Sequence, residues 1–182
     1  MKKAIILTYS GYQDQELVYP YYRLLGAGFN VDIFGDKVDN LGRIYGILGV
    51  NMPCQKIYDK DLINVNKLIE EYDLMILPGG VKSLEKLRQK TEVIELIYQW
   101  NQKNKIIAST CHGAQLLISA KVTSGKKIAA YPSIKDDVVN SGAQYFNLPV
   151  VIDKNIISSP HYDHMGIWME TTLTEYDKLN KR

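Results

Sequence analysis

The sequence predicts an α/β fold: a mostly parallel central sheet with helices on both faces, in three layers. Three observations predict it. Short, mostly apolar runs at residues 3–9 and 72–77 read as strands buried on both sides. Segments of helical period lie between such runs in steady alternation. The first strand, helix and strand together take about 35 residues, the length of a βαβ unit with a right-handed crossover. The 182 residues suffice for one domain, over 1–182, with a sizeable core.

The elements follow in order. Residues 3–9 form the first strand, and a glycine-containing loop at Ser10-Gly11-Tyr12 leaves it. Asp14 is placed to cap a helix that runs through Leu17, Tyr21, Leu24 and Leu25 to a stop at Gly26-Ala27-Gly28, with Pro20 expected to kink it. Residues 30–34 are the second strand. The stretch 36–58, with Gly42, Gly46 and Gly49, breaks the rhythm and reads as a small β-excursion or hairpin. Residues 61–71 make an amphipathic helix, 72–77 a strand ending in Pro78-Gly79-Gly80, and 92–103 a helix packing Val93, Ile94, Ile97 and Trp100. After a strand and helix around Cys111 come a short strand at 127–130 and a helix at 132–141 with proline in its first turn. Short strands follow at 144–146, 150–152 and 155–158, the last two joined by an Asp153-Lys154 turn. A final helix covers about 163–179. In such sheets ligands bind beyond the carboxyl ends of the strands. Ser10 to Glu16, Leu77 to Gly80, Thr110 to His112 and Ser158 to His164 converge there.

Composition narrows the function. Apolar residues make up 46% and charged residues 23%, and the net charge is +2 with no strong basic block, so nucleic-acid binding is unsupported. No apolar run approaches the roughly 18 residues of a membrane span. Met1-Lys2-Lys3 leads straight into a strand, without the length or cleavage site of a signal peptide, and a cytoplasmic location is expected. Two cysteines, Cys54 and Cys111, make neither a disulfide framework nor a metal quartet.

The chemistry centres on residues 105–117. An apolar run passes through Ser109-Thr110 to Cys111-His112-Gly113 and continues at helical spacing. Strand, sharp turn and helix with a nucleophile at the turn is an elbow, here with a thiol and only the downstream glycine. A thiol attacks as the thiolate, and an ordinary cysteine is only a few per cent ionised at neutral pH. Lowering its pKa to about 6 takes roughly 3.4 kcal/mol, while a helix N-terminus supplies about 1 and at most about 2 kcal/mol. A second donor is therefore needed. Glu16, on the first turn of the first helix, caps that helix or, protonated, donates a hydrogen bond to the sulfur. Gly79 and Gly80 are either a plain turn or, with the N–H of His112, an oxyanion hole. His112 orients or deprotonates Cys111 if its rotamer allows, and otherwise packs under the loop. His161 and Asp163 are a base and its orienter, or loop and cap residues; His164 lies beside them. The histidines and Cys111 match no standard zinc spacing, and no cofactor is expected.

These residues resemble the ThiJ/PfpI superfamily, most closely its PfpI-type intracellular cysteine peptidase branch. The resemblance rests on Asp14-Gln15-Glu16-Leu17, Tyr19-Pro20-Tyr21-Tyr22-Arg23-Leu24, Leu77-Pro78-Gly79-Gly80, Cys111 to Ala120, Tyr131 to Asp137 and Ser141-Gly142-Ala143, nearly the whole chain. It implies a flavodoxin-like sandwich related to class I glutamine amidotransferase domains, a nucleophile at Cys111, its neighbour His112, and Glu16 contacting the sulfur. It also implies a homo-oligomer, dimer or hexamer, in which Glu85 completes a neighbouring subunit's triad. Two departures stand out: the loop after Gly80 is one residue longer, and Pro160 replaces an expected arginine, with His161 and His164 following.

The first expectation is a cofactor-independent cysteine enzyme on small carbonyl or amide substrates: a glyoxalase III- or deglycase-like lyase, a hydrolase, or a peptidase. The rivals are a cysteine redox sensor or stress-protective protein without turnover, and a binding module with a vestigial site.

Overall fold

The computed structural model describes residues 2–36, 39–61 and 64–180. In chain order the elements are β1 (Lys3–Leu7), α1 (Asp14–Gly26), β2 (Asn30–Gly35), β3 (Arg43–Tyr45), β4 (Asn51–Pro53), β5 (Lys56–Ile57), α2 (Tyr58–Asp61), α3 (Val65–Glu71), β6 (Leu74–Leu77), α4 (Val81–Leu87) and α5 (Thr91–Gln102). Then come β7 (Ile106–Thr110), α6 (Ala114–Ser119), β8 (Lys127–Ile128), α7 (Lys135–Asn140), β9 (Gln144–Tyr145), β10 (Val151–Asp153), β11 (Ile156–Ser159) and α8 (Met165–Asn180).

The central sheet has seven strands in the order β10-β11-β7-β6-β1-β2-β5, all parallel except the β10–β11 pair. Its five inner strands, β2-β1-β6-β7-β11, follow the 2-1-3-4-5 winding of flavodoxin-like sheets, as the resemblance implies. Period-two alternation divides the core. Ile5 and Leu7 of β1, with Met75, Leu77 and Ile107, face α3 to α7. Ala4 and Ile6, with Leu74, Ile76 and Ala108, face α1 and α8, where Leu17, Leu24 and Trp168 are fully buried. Burial on both faces is why these strands read as continuous apolar runs.

Several expectations change. Asp14 does not cap α1, whose N-cap is Gln13. Its carboxylate reaches sideways to accept from Leu48 N–H at 2.8 Å and Val50 N–H at 2.9 Å, pinning the β3–β4 hairpin to the helix. The helix continues through a buried Pro20. The segment expected as one helix over 61–71 divides into α2 and α3, with residues 62 and 63 outside those described. The helix α4 was not expected; it starts at Val81, right after Gly80. Residues 132–134 form a 3-10 turn before α7, and β8 pairs with β9 in a separate two-stranded sheet rather than joining the main one.

Candidate active site

The winding reverses between β1 and β6, and the loops leaving β1, β6, β7 and β11 meet at that end of the sheet. They enclose a cleft of about 440 Å³ whose walls include Glu16, Gly80, Cys111, His112, Tyr131 and His161. It contains the segments the sequence brings together.

Cys111 begins a 3-10 turn at the end of β7 and has φ 55°, the left-handed region. That conformation costs a non-glycine residue roughly 1–2 kcal/mol. It bends the chain out of the strand at the residue whose side chain walls the cleft. The sulfur lies 3.2 Å from His112 Nδ1, so the two adjacent side chains converge rather than diverge. His112 Nε2 is 3.4 Å from Ser133 Oγ, and its ring stacks on Tyr131 at 5.0 Å between centroids. Burial pushes the His112 imidazole below its ordinary value, so it is the neutral base near pH 7.

Glu16 is completely buried on the first turn of α1. Its Oε2 accepts from Gly79 N–H at 2.7 Å, while Oε1 has no hydrogen-bond partner among the described residues. Burial pushes this carboxyl up to about 7, against the pull of the Gly79 N–H. Burial also pushes the Cys111 thiol up, an ionised Glu16 beside it adds to the shift, and the His112 backbone N–H opposes it. Two acids in contact cannot both ionise cheaply, so they titrate as a pair. When Glu16 holds a proton the repulsion vanishes, and the carboxyl can donate to the sulfur beside it. The helix after Cys111 adds little, because α6 has only six residues and starts beyond the 3-10 turn.

Gly79 has a different part from the one expected. Its N–H is taken by Glu16 and is not available to a substrate oxyanion. A Cβ on Gly79 would overlap Glu16 Oε2 and lie 2.8 Å from Cys111 Cβ, so only glycine lets the two acids approach. Gly80 has φ 110° and passes so close to Gly11 and Tyr12 that no other residue fits. It lines the cleft with His112.

The other expected residues separate. His161 walls the cleft, with Nδ1 3.0 Å from Asp163 Oδ2 and its ring stacked on Tyr131 at 5.7 Å. His164 does not line the cleft; it faces a neighbouring hollow with Pro160 and Asn147. Glu85 is exposed on α4 and lines none of its own chain's cleft. Tyr131 and Ser133, within a stretch that carries the resemblance, and Tyr162 were not expected as site residues, although all three line the cleft. Their signal was faint: a Tyr-Pro-Ser run at a helix start, and an aromatic beside His161. Among the described residues no Lys or Arg lines the cleft. Among the described residues no group of three or more His, Cys, Asp or Glu side chains is placed to hold a metal ion, and no helix is long and apolar enough to cross a membrane.

Comparison with known proteins agrees with this architecture. Residues 2–175 match the DJ-1/PfpI family. A deglycase of Pyrococcus horikoshii is 36% identical over 179 residues, 98% of this chain and 99% of the relative. Deglycase PfpI of Pyrococcus furiosus is 34% identical over the same shares, and protein/nucleic acid deglycase 2 of Escherichia coli is 30% identical over 85% of each chain. The structure of DJ-1 from Schizosaccharomyces pombe superposes with a TM-score of 0.87 over 98% of this chain and 97% of that one; at 20% identity it speaks for the fold alone. This chain belongs to the DJ-1/PfpI family.

Proposed function

We propose that the protein is a cofactor-independent deglycase of the glyoxalase III kind, acting on a 2-oxoaldehyde such as methylglyoxal or on its adduct with an amine or thiol. The observation that carries this reading is the 3.2 Å approach of Cys111 Sγ to His112 Nδ1 beside the fully buried Glu16. The deglycase names of relatives 30–36% identical over most of the chain favour it over a peptidase or amidase.

The steps use this chain's own groups. The Cys111 thiolate bonds to the aldehyde carbon while the carbonyl electron pair moves to oxygen, which takes a proton. From an adduct, the same attack expels the amine or thiol with a proton. His112 removes the remaining proton on that carbon, and a proton is returned at the neighbouring carbon, giving a thioester of lactate. Water then cleaves the thioester, regenerating the thiol. The net reaction is methylglyoxal plus water to lactate, without oxidant or reductant. An oligomer is the arrangement in which exposed Glu85 would contribute, by entering a partner's cleft. A monomer by light scattering at assay concentration removes Glu85 from this scheme.

The test is lactate formation from methylglyoxal. Cys111→Ala should lower the rate by at least about a thousandfold; an unchanged rate ends the enzyme reading.

A further inference from the structure

Hydrolysis of the acyl intermediate needs a base that the steps above do not supply. Water attacks a thioester carbon slowly unless a nearby group takes its proton as the bond forms. Three carboxyl or imidazole side chains wall the cleft among the described residues: Glu16, His112 and His161. Two of them are committed elsewhere. Glu16 is fully buried, and its Oε2 accepts from Gly79 N–H. His112 keeps Nδ1 3.2 Å from the sulfur, on the side of the leaving group rather than of the incoming water. His161 is left.

Its geometry suits the task. Nδ1 has two neighbours in Asp163, the carboxylate Oδ2 at 3.0 Å and the backbone N–H at 3.4 Å. One neutral nitrogen cannot donate to the first and accept from the second. The shorter contact puts the proton on Nδ1, which donates to Asp163, and leaves the lone pair on Nε2. Asp163 is exposed, so it orients the ring more than it strengthens the base. Tyr131 holds the ring in place. It stacks on His161 at 5.7 Å and 26°, and on His112 at 5.0 Å and 28°, and so spaces one imidazole from the other. A three-carbon acyl group leaves space in a cleft of about 440 Å³ for a water, whose share of liquid volume is about 30 Å³.

We propose that His161 is the general base of the hydrolytic half-reaction, taking the proton of the water that cleaves the Cys111 thioester, while His112 serves the carbon–hydrogen steps. This rests on the deglycase reading and adds a catalytic residue to it. The water oxygen bonds to the acyl carbon as His161 Nε2 takes one of its protons. The carbon–sulfur bond then breaks with its electron pair on sulfur. The product leaves as lactic acid, and the proton on His161 passes through solvent to the sulfur.

The experiment uses His161→Asn, which keeps a side-chain acceptor for the Asp163 N–H and removes the base. Each protein is mixed with methylglyoxal, quenched at intervals and read by intact-protein mass spectrometry. The wild type should release lactate with little thioester on Cys111. His161→Asn should consume one equivalent of methylglyoxal per chain at the wild-type rate and then stall as the lactyl thioester, with kcat down about a hundredfold. The unchanged first turnover shows that the variant is folded. Hydroxylamine, which cleaves thioesters without a base, should restore turnover. Lactate release at the wild-type rate overturns the proposal. So does slowed consumption of methylglyoxal with no thioester, which would make His161 a positioning residue for the earlier steps. Absence of turnover in the wild type ends the deglycase reading, and the base is then decided separately. Cys111 acetylated with p-nitrophenyl acetate should lose its acetyl group about a hundredfold more slowly in His161→Asn than in the wild type; equal rates overturn the base.

Discussion

Cys54 and Cys111 are equally hidden, each 7% exposed, and nothing else about them is alike. Cys54 follows β4 on the α1 face of the sheet, packed with Ile33, Ile44 and Met52, and its Sγ donates to the Lys56 carbonyl at 3.0 Å. Cys111 sits in a left-handed turn beside the His112 imidazole, which burial keeps neutral, and the Glu16 carboxyl, which burial pushes up to about 7. Accessibility therefore does not distinguish the two thiols. Backbone conformation and the acids and bases in contact with the sulfur do.

The sharpest way to break this contrast is to label both thiols in the native protein. Iodoacetamide followed by peptide mass spectrometry should find Cys111 alkylated about a hundredfold faster than Cys54 at pH 7. Glu16→Leu, which removes the acid that can donate to the sulfur, should reduce the Cys111 rate about tenfold. Equal rates at the two cysteines would erase the distinction.

Stability provides a second handle. Burial raises the Glu16 carboxyl from its ordinary 4.5 to about 7. Between those values the folded protein holds a proton that the unfolded chain releases. The contribution is thus fully present below about pH 4.5 and is lost as pH rises through about 7, by at most about 3 kcal/mol. Urea unfolding at pH 5 and pH 8 should show the decline, and Glu16→Gln, which carries no titrating proton, should flatten it. A decline of the same size in the variant would place its origin elsewhere. The smallest effect is expected at Ser133. Its 3.4 Å contact with His112 Nε2 is long, so Ser133→Ala should lower kcat only two- to threefold with KM unchanged. A change in KM alone would make it a substrate contact instead.

The sequence shows the sheet clearly because β1, β6 and β7 are buried on both faces and spell it in apolar residues. It shows Cys111, His112 and Glu16 because each stands at the end of one of those strands or on the helix that follows. What it hides is side-chain direction. Asp14 looks like a cap, but its carboxylate serves a hairpin more than thirty positions away, a contact no local pattern carries. The Gly79 N–H looks available until the fully buried Glu16 takes it. Tyr131 gains meaning only by standing between the rings of His112 and His161, 49 residues apart in the chain. The short α4 escaped notice because Lys82, Glu85 and Lys86 dilute its apolar residues, leaving Ser83, Leu84 and Leu87 buried.

The positive φ of Cys111 carries a consequence for stability. Glycine enters that region without penalty and asparagine tolerates it, so either would relax the chain where cysteine holds it bent. A Cys111→Gly or Cys111→Asn chain would thus gain thermal resilience by giving up the sulfur.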